Sequence, residues 1–130
     1  MGNIGIGTDI VEVARIKECC QRQRFRERVY SEKERDFFSS KKAPWESMAG
    51  NWAAKEAFGK SLGTGVRGFE LTEVSCLRDA SGCPYLELTG RAARIAEEKG
   101  LEFSVSISHT KEYATATVIA YKKSYQDNNH

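Results

Sequence analysis

The stretch P-W-E-S-M-A-G-N-W-A-A-K-E-A-F-G-K-S-L, residues 44–62, decides the fold because it predicts one long helix against which the other elements must pack. The glycines of G-T-G-V-R-G, residues 63–68, end this helix. At about 100° per residue, Glu56 shares with Ala49 and Trp52 a helix face that is expected to be turned to the core. A carboxylate on such a face is costly unless it is paired or binds a cation, so something must compensate Glu56.

Two ways to compensate Glu56 remain open from the residues alone. Lys60 lies one turn further along the same side, and an ion pair between the two would contribute roughly 0.2–0.5 kcal/mol. The other is a divalent cation shared with Asp9, which ends a short predicted strand. Mg²⁺ suits this pair, because one or two carboxylates, waters and substrate phosphates complete its octahedron. The simpler role for Asp9 is to cap the first helix.

Upstream of the long helix, the pattern predicts one short strand and two helices. In residues 4–8 apolar or β-branched residues alternate with glycines, which leaves one face of the strand bare enough for close approach. Asp9 ends this strand. One helix is expected over about 11–23, and a second begins at Ser31, where S-E-K-E has the spacing of a capping box.

Downstream of the long helix, strands dominate. They are expected over residues 70–77, 85–88, 103–108 and 113–121. The first two form a hairpin about a turn at 79–84, and a helix capped by Thr89 runs to Glu98 and is stopped by Gly100. The fold class is therefore α+β: a single domain, residues 1–122, with an antiparallel-rich sheet packed on the long helix, followed by a polar tail, residues 123–130.

Composition narrows the class of protein. With 130 residues the chain is one domain, too short for two nucleotide-binding halves, so a site could need a second subunit. The four cysteines show no C-x-x-C spacing, and with two histidines they assemble no zinc pattern. No apolar run approaches the roughly 18 residues that span a bilayer, and no secretory signal is visible, so we expect a cytoplasmic protein without a membrane partner.

The net charge is only +2, but residues 15–28 carry a local excess of positive charge. Six basic and two acidic residues fall in this segment, which makes it a candidate docking stripe for an acidic partner. The arginines proposed for docking are Arg15, Arg22, Arg24 and Arg28. An RNA-binding module is the alternative, but aromatic residues should then alternate with the basic ones, and only Phe25 does. We therefore expect no nucleic acid.

Two phosphate-binding motifs match in letters only. Gly63-x-Gly65-x-x-Gly68 follows a helix and precedes a strand, the reverse of the order in a dinucleotide site, and Gly59-Lys60-Ser61 belongs to a helix rather than to a Walker A loop. The glycine turn could still offer amides to a phosphate beside Lys60, or be a helix stop alone. Ser108, His109 and Thr110 lie at the end of a strand, where hydroxyl and imidazole groups suit a phosphate, although a histidine beside hydroxyls is more often an ordinary turn residue.

Three blocks together resemble the holo-acyl-carrier-protein synthase family, the bacterial 4′-phosphopantetheinyl transferases. They are G-I-G-T-D-I-V-E-V-A-R-I at 5–16, W-A-A-K-E-A-F-G-K-S-L-G-T-G at 52–65 and S-I-S-H-T-K-E-Y-A at 106–114. Their order and separation match the family, and only the last eight or so residues lie outside the resemblance. The resemblance implies transfer of the 4′-phosphopantetheine arm of coenzyme A to a serine of apo-acyl carrier protein, by a homotrimer with active sites between subunits.

The resemblance also implies roles for individual residues. Asp9 and Glu56 match the Mg²⁺ ligands. Lys60, Gly63 and Gly65 match the segment at the coenzyme A diphosphate, and the 108–110 cluster matches a position near the nucleotide end. Arg15 matches a basic position facing the acidic carrier protein. The general base is left open between Glu56, acting through a water, and His109.

One position departs from the family pattern. The family usually carries arginine at the position of Asn51, just before the residue that precedes A-A-K-E-A. If that arginine neutralises a coenzyme A phosphate, another residue must do so here, with Lys41 or Lys42 as candidates. A coenzyme-A-dependent acyltransferase is the remaining alternative function, because it would bind the same nucleotide and move a different group.

Overall fold

The computed structural model describes residues 5–124, which form five helices, five strands and one 3₁₀ turn. In chain order the elements are β1 (Gly5–Glu12), α1 (Val13–Cys19), α2 (Gln23–Val29), α3 (Glu32–Ser39), α4 (Trp45–Ser61), the 3₁₀ turn (Leu71–Glu73), β2 (Val74–Arg78), β3 (Pro84–Leu88), α5 (Gly90–Lys99), β4 (Leu101–His109) and β5 (Tyr113–Lys122). Within the described residues no helix is both long and apolar enough to cross a membrane. Most of the predicted tail lies outside the described part of the chain.

The predicted α+β class is confirmed. Strands β1, β5 and β4 form an antiparallel sheet in that order, and β2 and β3 form a separate antiparallel hairpin. The long helix α4 packs across one face of the three-stranded sheet and also contacts α1 and β2. It is therefore the centre of the molecule, as the sequence predicted.

Glycines allow β1 to lie directly on α4. A Cβ added at Gly5 would overlap the carbonyl oxygen of Ser61, and one added at Gly7 would overlap that of Ala57. These two contacts show that β1 runs antiparallel to α4. The bare strand face expected from the sequence therefore exists, and the helix occupies it.

Two N-terminal predictions are wrong. Asp9 does not end the first strand, which continues to Glu12 because residues 9–12 pair with residues 113–116 of β5. Nor does Asp9 cap a helix, since α1 begins only at Val13. The helix expected over 11–23 is shorter, because the chain turns after Cys19, where the Arg26 guanidinium donates to the Cys20 carbonyl. The sequence analysis also missed α2, which begins at Gln23.

Local signals in other segments are confirmed with small shifts. Ser31 and Glu34 form the expected capping box of α3, and Gly100 ends α5 in a left-handed conformation. The strand expected from residue 70 begins only at Val74, because Glu70 and Glu73 close the 3₁₀ turn. Thr89 occupies the N-cap of α5 without a side-chain capping bond, and the Glu73 carboxylate accepts the Ala92 amide instead.

Candidate active site

Asp9 is held on the inner side of β1, next to α4. Its side chain is 18% exposed, and its position two residues after Gly7 brings it to the middle of the helix. Lys60 reaches back from α4, where its ammonium donates to the Thr8 carbonyl at 3.0 Å and to Asp9 Oδ1 at 3.2 Å. The structure therefore pairs Lys60 with Asp9, and not with Glu56 as one reading of the sequence suggested.

Glu56 is half-buried one turn before Lys60. Burial raises the pKa of its carboxyl group, the negative charge of Asp9 raises it further, and Lys60 partly opposes both effects. The two carboxylates thus interact across the β1–α4 contact. A divalent cation between them would relieve both the desolvation and the mutual repulsion.

The fully buried charge of α4 is Lys55, the residue before Glu56, and this corrects the sequence analysis. Lys55 and Glu34 are both inaccessible, and their side chains meet at 2.6 Å. The Lys55 ammonium also donates to the carbonyls of Leu71 and Val74, so all three of its protons are used. Glu56 lies about 100° further round the helix, at the edge of the core, where it stays accessible to a ligand.

The carboxylates of Asp9 and Glu56 suit Mg²⁺ as partial ligands, with the remaining ligands supplied by water and substrate. Across residues 5–124 no three His, Cys, Asp or Glu side chains come together as a complete metal cage. Two carboxylates with an adjacent ammonium are instead suited to an ion that keeps waters and takes its remaining oxygens from a phosphorylated substrate.

The turn at Gly63 and Gly65 ends α4, and its amides are not free to bind a phosphate. Gly63 and Gly65 have φ values of 81° and 64°, conformations that favour glycine. Their amides donate to the carbonyls of Lys60 and Gly59. The amides of these two residues are therefore already used, and a phosphate beside the turn would rely on Lys60.

Ser108, His109 and Thr110 do not converge on one point. Ser108 lies on the outer face of the sheet and His109 on the inner side, because side chains alternate along β4. His109 Nδ1 is 3.3 Å from Glu46 Oε1 at the start of α4. Thr110 Oγ1 accepts the amides of Glu112 and Tyr113 and so closes the β4–β5 turn. Of the three, the contact with α4 is made by His109.

Three of the four proposed docking arginines line one groove. Arg22, Arg24 and Arg28 border a cavity of about 720 Å³ whose remaining lining is largely apolar. That lining includes Phe25, Val29, Trp52 and Phe69. Arg15 lies on α1, is exposed, and does not line this groove.

Sequence reasoning missed a second cavity, of about 380 Å³, between the start of α4 and the β2–β3 turn. Lys41, Arg78 and His109 bring positive or titratable groups to it, and Phe37, Glu46 and Pro84 are among its other lining residues. Of the two lysines suggested to replace an arginine at position 51, Lys41 lines this cavity and Lys42 does not. The sequence did not single out Arg78 as a site residue, because a basic residue at the end of a strand is common.

Comparisons with known proteins agree with this arrangement. Residues 5–118 match the sequence model of the 4′-phosphopantetheinyl transferase superfamily. The holo-[acyl-carrier-protein] synthase of Caldanaerobacter subterraneus subsp. tengcongensis is 47% identical over 119 residues, 90% of this chain and 94% of that protein.

Solved structures give the same answer for the fold. The holo-[acyl-carrier-protein] synthase of Neisseria meningitidis superposes with a TM-score of 0.85 at 34% identity, over 91% of this chain and 98% of that one. The Bacillus anthracis enzyme, solved in complex with CoA (3′,5′-ADP), gives 0.80 at 32% identity, over 95% and 100%. The sequence blocks, the fold and these likenesses agree, and the chain belongs to the holo-acyl-carrier-protein synthase family of the 4′-phosphopantetheinyl transferase superfamily.

Proposed function

We propose that this chain transfers the 4′-phosphopantetheine arm of coenzyme A to a serine of apo-acyl carrier protein. The serine Oγ forms a new bond to the phosphorus that carries pantetheine, the bridging P–O bond of the diphosphate breaks, and adenosine 3′,5′-bisphosphate leaves. The observation that carries the proposal is the ion pair of Asp9 and Lys60, 3.2 Å apart at the β1–α4 contact, with Glu56 one helical turn before Lys60, in a chain of this family.

Asp9 and Glu56 would hold Mg²⁺ at this contact. When bound, the ion supplies positive charge that stabilises the leaving phosphate. Lys60 is half-exposed beside Asp9 and can turn its ammonium to a diphosphate oxygen. The chain's own part is therefore positioning and electrostatics, which dominate phosphoryl-type transfers.

Glu56 is the better candidate for the general base. Its half-buried position leaves it reachable through a water. His109 is engaged with Glu46, and its position beside the second cavity is better suited to binding the nucleotide end.

The groove bordered by Arg22, Arg24 and Arg28 is the proposed dock for the carrier protein. Its apolar lining and cationic border complement an acidic amphipathic helix. Trp52 lies in this groove one turn before Glu56 on α4, so a docked serine would be presented next to the carboxylates. Arg15, on α1, extends the positive surface and should steer the approach of the acidic carrier protein.

A homotrimer with active sites between subunits is the proposed assembly. The outer face of the three-stranded sheet exposes large apolar side chains that a neighbouring subunit could cover. Ile6 is 65% exposed, Ile10 63% and Tyr113 47%. Light scattering should give a trimer; a fully active monomer would contradict this part of the proposal.

We also place the reaction in the cytoplasm. Cys19, Cys20, Cys76 and Cys83 are all free thiols, as expected in a reducing compartment. The proposed partners are coenzyme A and apo-acyl carrier protein, with no nucleic acid and no membrane.

The decisive experiment weighs the product. The protein is incubated with coenzyme A, Mg²⁺ and an apo-acyl carrier protein, and the carrier is analysed by mass spectrometry. A gain of one phosphopantetheine arm supports the transferase. A gain of an acyl group from acyl-coenzyme A instead would support an acyltransferase, and no gain in either assay would refute both.

Two variants connect the product to the site. Glu56→Gln should abolish Mg²⁺-dependent transfer while the protein stays folded, because a neutral amide is a poor Mg²⁺ ligand and no base. Glu98→Gln, on the exposed side of α5, is the matched control and should transfer normally. Full activity of the Glu56 variant would remove this residue from the mechanism.

A further inference from the structure

A guanidinium is fixed at the border of the second cavity without a carboxylate partner. Arg78 Nη2 donates to Asn51 Oδ1 at 3.0 Å, and its Cζ lies 5.2 Å from the centre of the Phe37 ring. Among residues 5–124, no carboxylate lies within ion-pair distance of Arg78. A half-buried cation that is held in place but not neutralised is a natural site for an anion.

Asn51 is itself rigid, and this fixes where Arg78 points. Asn51 is fully buried, and its Nδ2 donates to Glu34 Oε2 and to the Cys76 carbonyl, at 2.9 Å each. Its Oδ1 is thereby turned towards Arg78. Because Glu34 is anchored by Lys55, the guanidinium rests on a buried network rather than on a mobile surface.

Lys41 brings a second positive charge to the cavity. The Lys41 ammonium lies 5.2 Å from the centre of the same Phe37 ring, so two cations approach one aromatic residue. Glu46 also lines the cavity, but its carboxylate is 3.3 Å from His109 Nδ1. An anion bound here would meet Arg78 and Lys41, and aromatic and apolar surface beside them.

The cavity lies at a suitable distance from the carboxylates of the transfer site. Ile107 lines it, and Ile107 pairs with Ala116, which in turn pairs with Asp9. Two strand spacings separate Asp9 from Ile107, or about 10 Å. This is the scale of a nucleotide, whose far end would enter the cavity if its diphosphate lay at Asp9 and Glu56.

We propose that Arg78, positioned by Asn51 and Phe37, binds the 3′-phosphate of coenzyme A and thereby makes the protein discriminate coenzyme A from dephospho-coenzyme A. The proposal rests on the proposed function for the identity of the ligand. Position 51 carries asparagine instead of a cationic residue, and we assign the cationic role to Arg78, whose guanidinium is held by Asn51.

The test is equilibrium binding by calorimetry without metal, using coenzyme A and 3′-dephospho-coenzyme A. The wild-type protein should bind coenzyme A about ten- to a hundredfold more tightly, the range of a charge-assisted hydrogen bond. Arg78→Met, which keeps an unbranched side chain but removes the guanidinium, should abolish most of this ratio and leave the affinity for the dephospho form unchanged. Arg94→Met, on the exposed side of α5, should behave as wild type.

The outcomes separate this proposal from the proposed function. An unchanged ratio in Arg78→Met, or an equal loss of affinity for both ligands, would overturn the role of Arg78 even if the protein transfers the arm. Conversely, a wild-type protein that shows the ratio, loses it in Arg78→Met and yet fails to modify the carrier would support the binding role and overturn the transferase. Asn51→Ala should reduce the ratio in the same direction, because it frees the guanidinium without removing it.

Discussion

Removing the Lys55 ammonium should destabilise the fold severely. In Lys55→Met the apolar stem is retained, but the Glu34 carboxylate keeps its negative charge in a fully buried position and two carbonyls lose their donor. Breaking a buried ion pair from one side typically costs about 3–5 kcal/mol. For 130 residues, the entropy of unfolding is about 0.27 kcal/mol per degree, so the melting temperature should fall by about 15 °C.

The assay is urea or thermal unfolding followed by circular dichroism at a fixed protein concentration. Lys33→Met is the matched control, because it breaks an exposed lysine–glutamate contact with Glu87 at 2.9 Å and should change the free energy of unfolding by less than about 1 kcal/mol. The double variant Glu34→Gln with Lys55→Met should recover part of the loss, since no uncompensated charge remains. A Lys55→Met protein within about 1 kcal/mol of wild type would refute the reasoning.

Three further predictions concern the site and the sheet. Gly7→Ala should destabilise the protein by about 1–3 kcal/mol or more in urea unfolding, because its Cβ overlaps a helix carbonyl; Glu98→Gln, on the exposed side of α5, should be near neutral. Glu56→Gln should raise the free energy of unfolding of the metal-free protein at pH 8. The raised pKa of Glu56 means that the folded state disfavours the ionised carboxylate, so the stability gained by the variant should vanish when the pH falls below 4.5, the ordinary pKa of a glutamate. Equal stability of variant and wild type at pH 8 would contradict this. Ile10→Lys should dissociate the proposed trimer in light scattering, whereas an intact trimer would argue against the outer sheet face as the interface.

Local rules predicted the parts of the fold that depend on neighbouring residues. The capping box at Ser31 and the left-handed Gly100 follow from backbone chemistry within four residues, and both are present. The extension of β1 to Glu12 depends on pairing with β5, more than 100 residues away, and no local pattern reports that.

The site residues show the same difference between local patterns, which the sequence reveals, and contacts between distant residues, which it does not. The joint role of Asp9 and Glu56 stays a prediction, and one reason given for it was wrong, because Asp9 lies inside β1 and does not end it. Helix periodicity placed Glu56 towards the core but could not reveal that Lys55 is the buried charge, because its partner Glu34 lies on another helix. The placement of Arg78 depends on two side chains from separate elements, Asn51 of α4 and Phe37 of α3, and neither contact is visible in the spacing of the sequence.

The bare backbone contact between β1 and α4 has a consequence for the spacing of the site. Gly5 and Gly7 leave no side chain between the strand that carries Asp9 and the helix that carries Glu56. The spacing of strand and helix at this contact therefore does not depend on the size of any side chain between them. The distance between the strand and the helix at the site is set by direct main-chain contact, and among the residues of β1 it depends on Gly5 and Gly7.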